Sequence, residues 1–521
     1  MFDKKKTTIK VASVTIITLL MGLFLHLYDL NAAAFSDRLD QLFYSLSPAR
    51  EISYLKTKSQ FKHEKNDATF NVISPSTWNG VPAFVYHGIV KETDRFSMTE
   101  ATFKDQMFAL KINGYETITL QELNDHVQNG TPLPAKSFLL TFDDGRRDSY
   151  EGADAVLRAL DYTAVMFVAV ESSMPSSGEK STYYLSKEDL KRMVSSGRWE
   201  IGSHAIQQTG GYVPISSIGS QGNFLSNVAW IPTENRLETE DEYVVRITKE
   251  IADSKAVLEK LFGQDVIAFS YPFGDYGQQS HNNVNAETAI NKLIQENYSL
   301  AFRQVWQEDG DFSFNYPDTE ASYLKRIETP TNWTGQQLVD FLVKNHDKTL
   351  TYTDDFTADL GWHNNWGEKR LEETKALVIE ATPETSGAAI FLDGSKDWQN
   401  YTYTATLSWT VGSHLSLMAQ YQDAQNYLVC TFGEGRVRIE KIENGVSTRL
   451  TEVKSTRAYA KGGVFSMSLA GNSVQCSVDN VTVAWAGTST GPGGIGLRIW
   501  DRELDLAAAN ITKVEVTPTK E

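Results

Sequence analysis

Cysteine is nearly missing from this chain, with two in 521 residues, Cys430 and Cys476. So few exclude a disulfide-framework protein and a cysteine-rich zinc module. Both lie in strand-like contexts, NYLVCTF and NSVQCSV, where they either pair or stand as two buried thiols. A basic footprint is also missing. The formal net charge is -17 and no segment concentrates Lys and Arg as a nucleic-acid surface requires, so nucleic acid is excluded as a partner. No short-period repeat occurs, which excludes a solenoid. A hydrophobic content of 41% with 35 glycines describes globular protein, and 521 residues exceed one core, so two or three domains are expected.

Long apolar runs are absent except for one, residues 11–28, broken only by Ser13, Thr15, Thr18, Gly22 and His26. It is about the 17 to 20 residues that span a bilayer. Lys4, Lys5, Lys6 and Lys10 precede it and Asp29, Asp37 and Asp40 follow, so a single-pass signal-anchor at 11–30 is expected, with residues 1–10 cytoplasmic and the bulk extracytoplasmic. Ala32-Ala33-Ala34 leaves secretion after cleavage as the alternative. Residues 31–79 are polar and poorly periodic and read as a stalk, with room for a short helix.

From residue 80 to 348 apolar strands alternate with amphipathic helices. The strands are VPAFVYH, SFLLTF, TAVMFVAV, VIAFSYPFG and the run around 300–302. The helices are one with Phe103, Met107 and Leu110 on one face, one over 154–160, one over 239–262 stopping at Gly263, and one over 286–296. This alternation predicts a parallel α/β fold of (β/α) barrel type, with chemistry at the C-terminal ends of the strands. After 349 helical periodicity vanishes. Over 350–521 short β-rich runs separated by Asp-Gly, Asn-Gly and Gly-Asn turns predict an antiparallel β-sandwich of jelly-roll type.

The most informative stretch is 137–150, SFLLTFDDGRRDSY, in which an apolar strand runs into Asp143 and Asp144 followed by Gly145. Neighbouring side chains on a strand point to opposite faces, so both acids line one cavity only if the chain turns there, and Gly145 permits the turn. One carboxylate then ligates a metal while the other takes a proton from water. A surface Asp-Asp-Gly turn is the plain alternative, but such turns rarely follow Phe138-Leu139-Leu140.

The ordered set LTFDDG (140–145), GSH (202–204) and SYPFG (270–274) resembles the polysaccharide deacetylase family, the NodB-homology carbohydrate esterases, over roughly 81–347. VPAFVYHGI and GYETITLQEL are similar to members acting on exported polysaccharide. The resemblance implies a membrane-anchored hydrolase that removes N-acetyl groups from a cell-wall or exported polysaccharide, using a divalent metal, zinc first among candidates. It implies Asp143 as general base, Asp144 and His204 as metal ligands, Tyr271, Pro272 and Phe273 at the substrate, and a backbone amide near 271–273 on the developing oxyanion.

Three positions depart from that pattern. Gln208 and Thr209 stand where a second metal-binding histidine is expected, Ser270 stands for an arginine, and YLKRIETPTNW lacks the late histidine that protonates the leaving amine. The missing groups are sought among His87, His126, His281 and His346, with His281, in the loop GDYGQQSHNN, the candidate further ligand and His87 read as an orienting hydrogen-bond group. A same-fold protein that binds glycan without turnover is the alternative function. The loop 210–238, with Tyr212, Phe224, Trp230 and Pro232, forms a substrate wall or packs on its own domain. Trp362, Trp366, Trp398, Trp409 and Trp485 form a glycan surface or fill the sandwich, which is similar to concanavalin-like jelly rolls.

Overall fold

The computed structural model describes residues 48–67, 80–178, 181–207, 210–306, 314–317, 319–357, 359–433, 435–455 and 462–519. The expected membrane segment at 11–30, the alanines at 32–34, and Gln208 and Thr209 lie outside these. No helix among the described residues is long and apolar enough to cross a membrane.

Seven strands form the first domain: β1 (Ala83–Tyr86), β2 (Ser137–Phe142), β3 (Ala164–Val168), β4 (Trp199–Ser203), β5 (Ala268–Ser270), β6 (Leu300–Val305) and β7 (Leu324–Glu328). All neighbours are parallel in the order β1-β7-β6-β5-β4-β3-β2, and β1 also pairs with β2, so the sheet closes into a barrel. Apolar runs such as SFLLTF and AVMFV, buried on both faces, suit this arrangement. Alternate side chains separate two layers. Ala83, Leu139, Val165, Phe167, Ala268, Leu300, Phe302 and Leu324 pack inside the barrel. Phe84, Leu140, Phe142, Met166, Phe269, Ala301 and Ile327 pack outward with the helices. Gly202 is required by this packing, because a Cβ there would lie 2.3 Å from the Phe167 ring.

The helices begin and end where local chemistry dictates. Thr99 caps Glu100–Ile112, with Phe103, Met107 and Leu110 buried as expected. The helix expected over 154–160 starts earlier, at Arg147, directly after the Asp-Asp-Gly turn, and runs to Leu160. The helix expected over 239–262 is present from the Thr239 cap to the left-handed Gly263, but Lys249–Asp253 form a π-helical turn. That wider turn lets Glu250 accept the Ile206 amide on its carbonyl and the Gln207 amide on its carboxylate, pinning the chain that follows His204. Within the segment read as a stalk, Pro48–Asp67 form a helix against Arg147–Leu160. Glu51 pairs with Arg158 at 2.9 Å and Phe61 meets Phe108 edge-on at 5.1 Å.

The second domain is the expected antiparallel sandwich, an eight-stranded sheet on a seven-stranded one around a separate core. Trp362 and Trp398 are buried in it, with their indole N–H groups on Asp354 and the Lys348 carbonyl. Trp409 and Trp485 are exposed on the eight-stranded sheet. Cys430 and Cys476 come from opposite sheets and form a disulfide, which resolves the alternative left open by the sequence. The bond closes a 46-residue separation, worth about 3–4 kcal/mol in chain-entropy terms. Replacing both cysteines by alanine is therefore expected to lower the sandwich's unfolding free energy by about 3 kcal/mol in chemical denaturation. An unchanged midpoint and slope would contradict the cross-link.

Candidate active site

The inward-facing rows of the barrel strands continue past their last residues, and this continuation builds the site. On β1 the row is Ala83, Val85, His87; on β2 it is Leu139, Thr141, Asp143; on β4 it is Gly202, His204; on β5 it is Ala268, Ser270; on β7 it is Leu324, Arg326, Glu328. One parity rule thus brings two histidines, two carboxylates, a hydroxyl and a guanidinium to the C-terminal mouth.

Asp143 and Arg326 form its floor. Arg326 is fully buried and grips Asp143 with two parallel bonds, Nη1 to Oδ1 at 2.6 Å and Nη2 to Oδ2 at 2.8 Å. The guanidinium also donates to Ser270 Oγ at 2.5 Å and Thr141 Oγ1 at 3.2 Å, and lies over the Phe167 ring. Burial works against the Asp143 charge, but Arg326 above all, with His87 beside it, outweighs burial and holds the carboxyl far below the usual range. Sequence reasoning missed Arg326. Its signal was available in LKRIE, where Arg326 and Glu328 alternate with Leu324 on one face of the strand. Ser270 is small enough to leave the space that Arg326 enters from β7, two strands away.

Asp144 departs from the strand. The turn starts at Asp144 itself, with φ 70°, and continues through Gly145 at φ 71°. A left-handed aspartate costs of order 1 kcal/mol or more, and it re-aims the carboxylate over the mouth beside Asp143. His204 is 4% exposed. Its Nδ1 faces the Ser270 carbonyl at 2.9 Å, which assigns the proton to Nδ1 and leaves the Nε2 lone pair directed toward Asp144 Oδ1 at 3.7 Å. A carboxylate oxygen and an imidazole nitrogen so placed fit two corners of a divalent-metal site. Among the described residues no group of three His, Cys, Asp or Glu completes one. His281 is exposed on its loop, held by its amide on Asn227 Oδ1 at 2.7 Å, and does not join the pair.

His87, read as an orienting group, does more than that. Its Nδ1 faces Glu328 at 3.5 Å, long for a hydrogen bond but close for an ion pair. Burial opposes its charge, yet Glu328, Asp143 and Asp144 prevail and push the imidazole up to about 9. It is an imidazolium at neutral pH. His126 and His346, also among the histidines searched, are buried and part-buried, with Nδ1 on the carbonyls of Thr131 and Val343.

The substrate-side expectations need one correction. Ser270 faces inward, so Tyr271 must face outward. It is 1% exposed, with its hydroxyl on the Ser322 carbonyl and its amide on Phe302. Pro272 is buried and has no N–H, which leaves Phe273 as the rim residue. Its ring is 38% exposed and lies 5.0 Å from Tyr212, on the loop 210–238. That loop is tied to the third motif by Asp275, which accepts from Ser226 Oγ at 2.5 Å and Asn223 Nδ2 at 2.7 Å. Tyr212 thus stands at the mouth, whereas Phe224 is core.

Removing Arg326 strands a buried carboxylate. Arg326→Met is expected to cost about 3–5 kcal/mol of stability, and pairing it with Asp143→Asn to restore much of the loss. Equal denaturation midpoints for wild type and Arg326→Met would contradict the clamp.

Residues 130–289 match the family model described as polysaccharide deacetylase. The chain is 24% identical over 220 residues to poly-beta-1,6-N-acetyl-D-glucosamine N-deacetylase of Escherichia coli strain K12, covering 39% of this chain and 32% of that protein. The match thus spans about a third of that relative's length. It is 25% identical over 184 residues to the protein of the same name from Staphylococcus epidermidis, covering 35% of this chain and 56% of the relative. A solved de-N-acetylase from Aggregatibacter actinomycetemcomitans aligns at 22% identity and TM-score 0.41, over 50% of this chain and 99% of its own. Residues 130–289, which hold the Asp-Asp-Gly turn and most of the barrel strands, are thus similar to a polysaccharide deacetylase domain.

Proposed function

We propose that this chain is a membrane-anchored, extracytoplasmic, metal-dependent hydrolase that removes N-acetyl groups from an exported polysaccharide. A β-1,6-linked N-acetylglucosamine polymer is the first candidate, because it is the polymer named for the relatives. The observation that carries the reading is the clamped Asp143 beside the Asp144–His204 pair at one barrel mouth. The disulfide across the sandwich supports an oxidising compartment, and the lysine-led apolar run at 11–30 supports the anchor.

Asp144 and His204 would hold the divalent cation, with zinc the leading choice for a mixed nitrogen and oxygen donor set. When bound, the cation would polarise the acetyl carbonyl and make water a better nucleophile. Asp143, kept ionised by Arg326, accepts the proton of the attacking water. Water oxygen bonds to the acetyl carbon, the carbon–nitrogen bond breaks, and His87 gives its proton to the departing nitrogen, leaving acetate and a free amine. The Phe273 amide is the candidate donor to the oxyanion, since Tyr271's is committed and Pro272 has none. Phe273 and Tyr212 form a sugar-stacking edge. The second reading, glycan binding without turnover, is favoured by the lack of a third ligand among the described residues.

Acetate release from β-1,6-linked N-acetylglucosamine oligomers and chitooligosaccharides, after zinc, cobalt or nickel loading, tests the first reading. Asp144→Ala is expected to abolish release and His87→Ala to lower kcat by about 10²- to 10⁴-fold. No acetate with any of the three metals would sink the enzyme and leave the binder. His87 must be protonated to act as acid, and a raised pKa keeps it so below about 9. Activity is therefore expected to fall as pH rises through a limb no higher than about 9, and Glu328→Gln to move that limb down. An alkaline limb indifferent to Glu328→Gln would remove His87 from the role.

A further inference from the structure

The outer face of the seven-stranded sheet carries a second site. Leu415, Leu417, Cys430, Leu497 and Ile499 point into the sandwich core, so their strand neighbours point out. Strand registers then align one transverse row across six strands: Trp366 opposite Ala389, Ala389 opposite Arg498, Arg498 opposite Ser416, Ser416 opposite Thr431, Thr431 opposite Arg438. Ala389, Ser416 and Thr431 are short, and among their larger neighbours they leave a groove of about 640 Å³, within the range of small-ligand sites. Trp500 and His414 are cross-strand partners with rings 5.1 Å apart and stand as its wall. Beside it a second apolar cluster, Ala389, Met418, Tyr421 and Val429, lies on this face with Trp366 packed against it. A sandwich needs no such cluster outside its core.

Arg498 gives the groove its chemistry. Arg438 is committed to Glu452, with Nε donating at 2.7 Å. The Arg498 side chain has no hydrogen bond or ion pair with any described residue, and its buried Nε is without a partner. An uncommitted guanidinium over a floor of Ser416 and Thr431 hydroxyls, between two indoles, matches a ring with one apolar face and vicinal hydroxyls at its edge. The groove carries both signs of charge, since Glu384 and Glu440 line it with Arg438 and Arg498. A polyanion meets the glutamates and a polycation meets the arginines, so the charge balance selects a neutral occupant.

We propose that this groove binds neutral pyranose units of a polysaccharide, with Trp500 and Trp366 stacking on the ring and Arg498 donating to its hydroxyls. This site lies on the sandwich alone and stands whether or not the barrel turns substrate over.

The test is binding of neutral oligomers of glucose and of N-acetylglucosamine to the full chain by calorimetry, with polygalacturonate and chitosan as the charged arms. At least one neutral oligomer is expected to bind. Trp500→Ala and Arg498→Met should each weaken it by about tenfold or more, while Trp409→Ala, on the opposite sheet, leaves it unchanged. Hydroxyl-radical footprinting of the unsubstituted chain reads the same site without reliance on variant folding. Trp366 and Trp500 should be protected by the oligomer, and the exposed Trp409 and Trp485 should not. Absence of neutral binding at millimolar oligomer, preference for either charged polymer, wild-type affinity in both variants, or protection of Trp409 and Trp485 instead would each overturn it.

Discussion

The buried pair of Asp143 and Arg326 is the constraint on which the barrel mouth depends. A carboxylate and a guanidinium removed from water repay their desolvation only when geometry is close to ideal and remaining donors find partners. Here the fork–fork bonds, Ser270, Thr141 and the face of Phe167 supply most of those partners, and only the Arg326 Nε is left without one. Because Asp143 follows β2 and Arg326 lies on β7, each strand bonded to β1, the pair ties the two strands that flank β1 to one point. Everything catalytic is placed relative to it. Asp144 turns away one residue later, His204 leans on the carbonyl of the same Ser270 that Arg326 holds, and His87 takes its charge from this acidic surrounding.

Much of this was legible in the chain. The closed sheet follows from apolar strands alternating with amphipathic helices, and the Asp-Asp-Gly turn marks the mouth because a buried strand ends in two acids. Asp144 and His204 do meet. What escaped was placement that depends on strands far apart in sequence. Arg326 lies 183 residues from Asp143, and a strand-parity argument reaches it only once β7 is known to close against β1. Tyr271 was misjudged for a related reason. Its motif neighbours the site, but alternation along β5 turns Ser270 in and Tyr271 out. His87 was read as an orienting group because its charge comes from Glu328 on a strand that lies beside it only in three dimensions.

The second domain repeats the lesson at a different scale. Runs of β-rich residues announced a sandwich, but not which indoles are core. Trp362 and Trp398 fill it, while Trp366 and an unremarked Trp500 line its outer groove. Residue type alone does not separate these, since Trp362, Trp366 and Trp500 all sit in strands. Register does, because Cys430 and Leu497 inside the sandwich fix Thr431 and Arg498 outside it. The sandwich and barrel meet through polar contacts at the junction, with the Trp398 indole on the Lys348 carbonyl and His363 on Asn345.

The central claim is that Asp144 and His204 hold a catalytic cation beside the clamped Asp143. Its most direct measurement is metal stoichiometry of the purified chain with anomalous scattering from its crystals. One divalent ion per chain, located between Asp144 and His204 Nε2 and lost in His204→Ala with the fold intact, is the predicted result. A metal-free mouth after zinc, cobalt and nickel loading, or an ion elsewhere in the barrel, would contradict it.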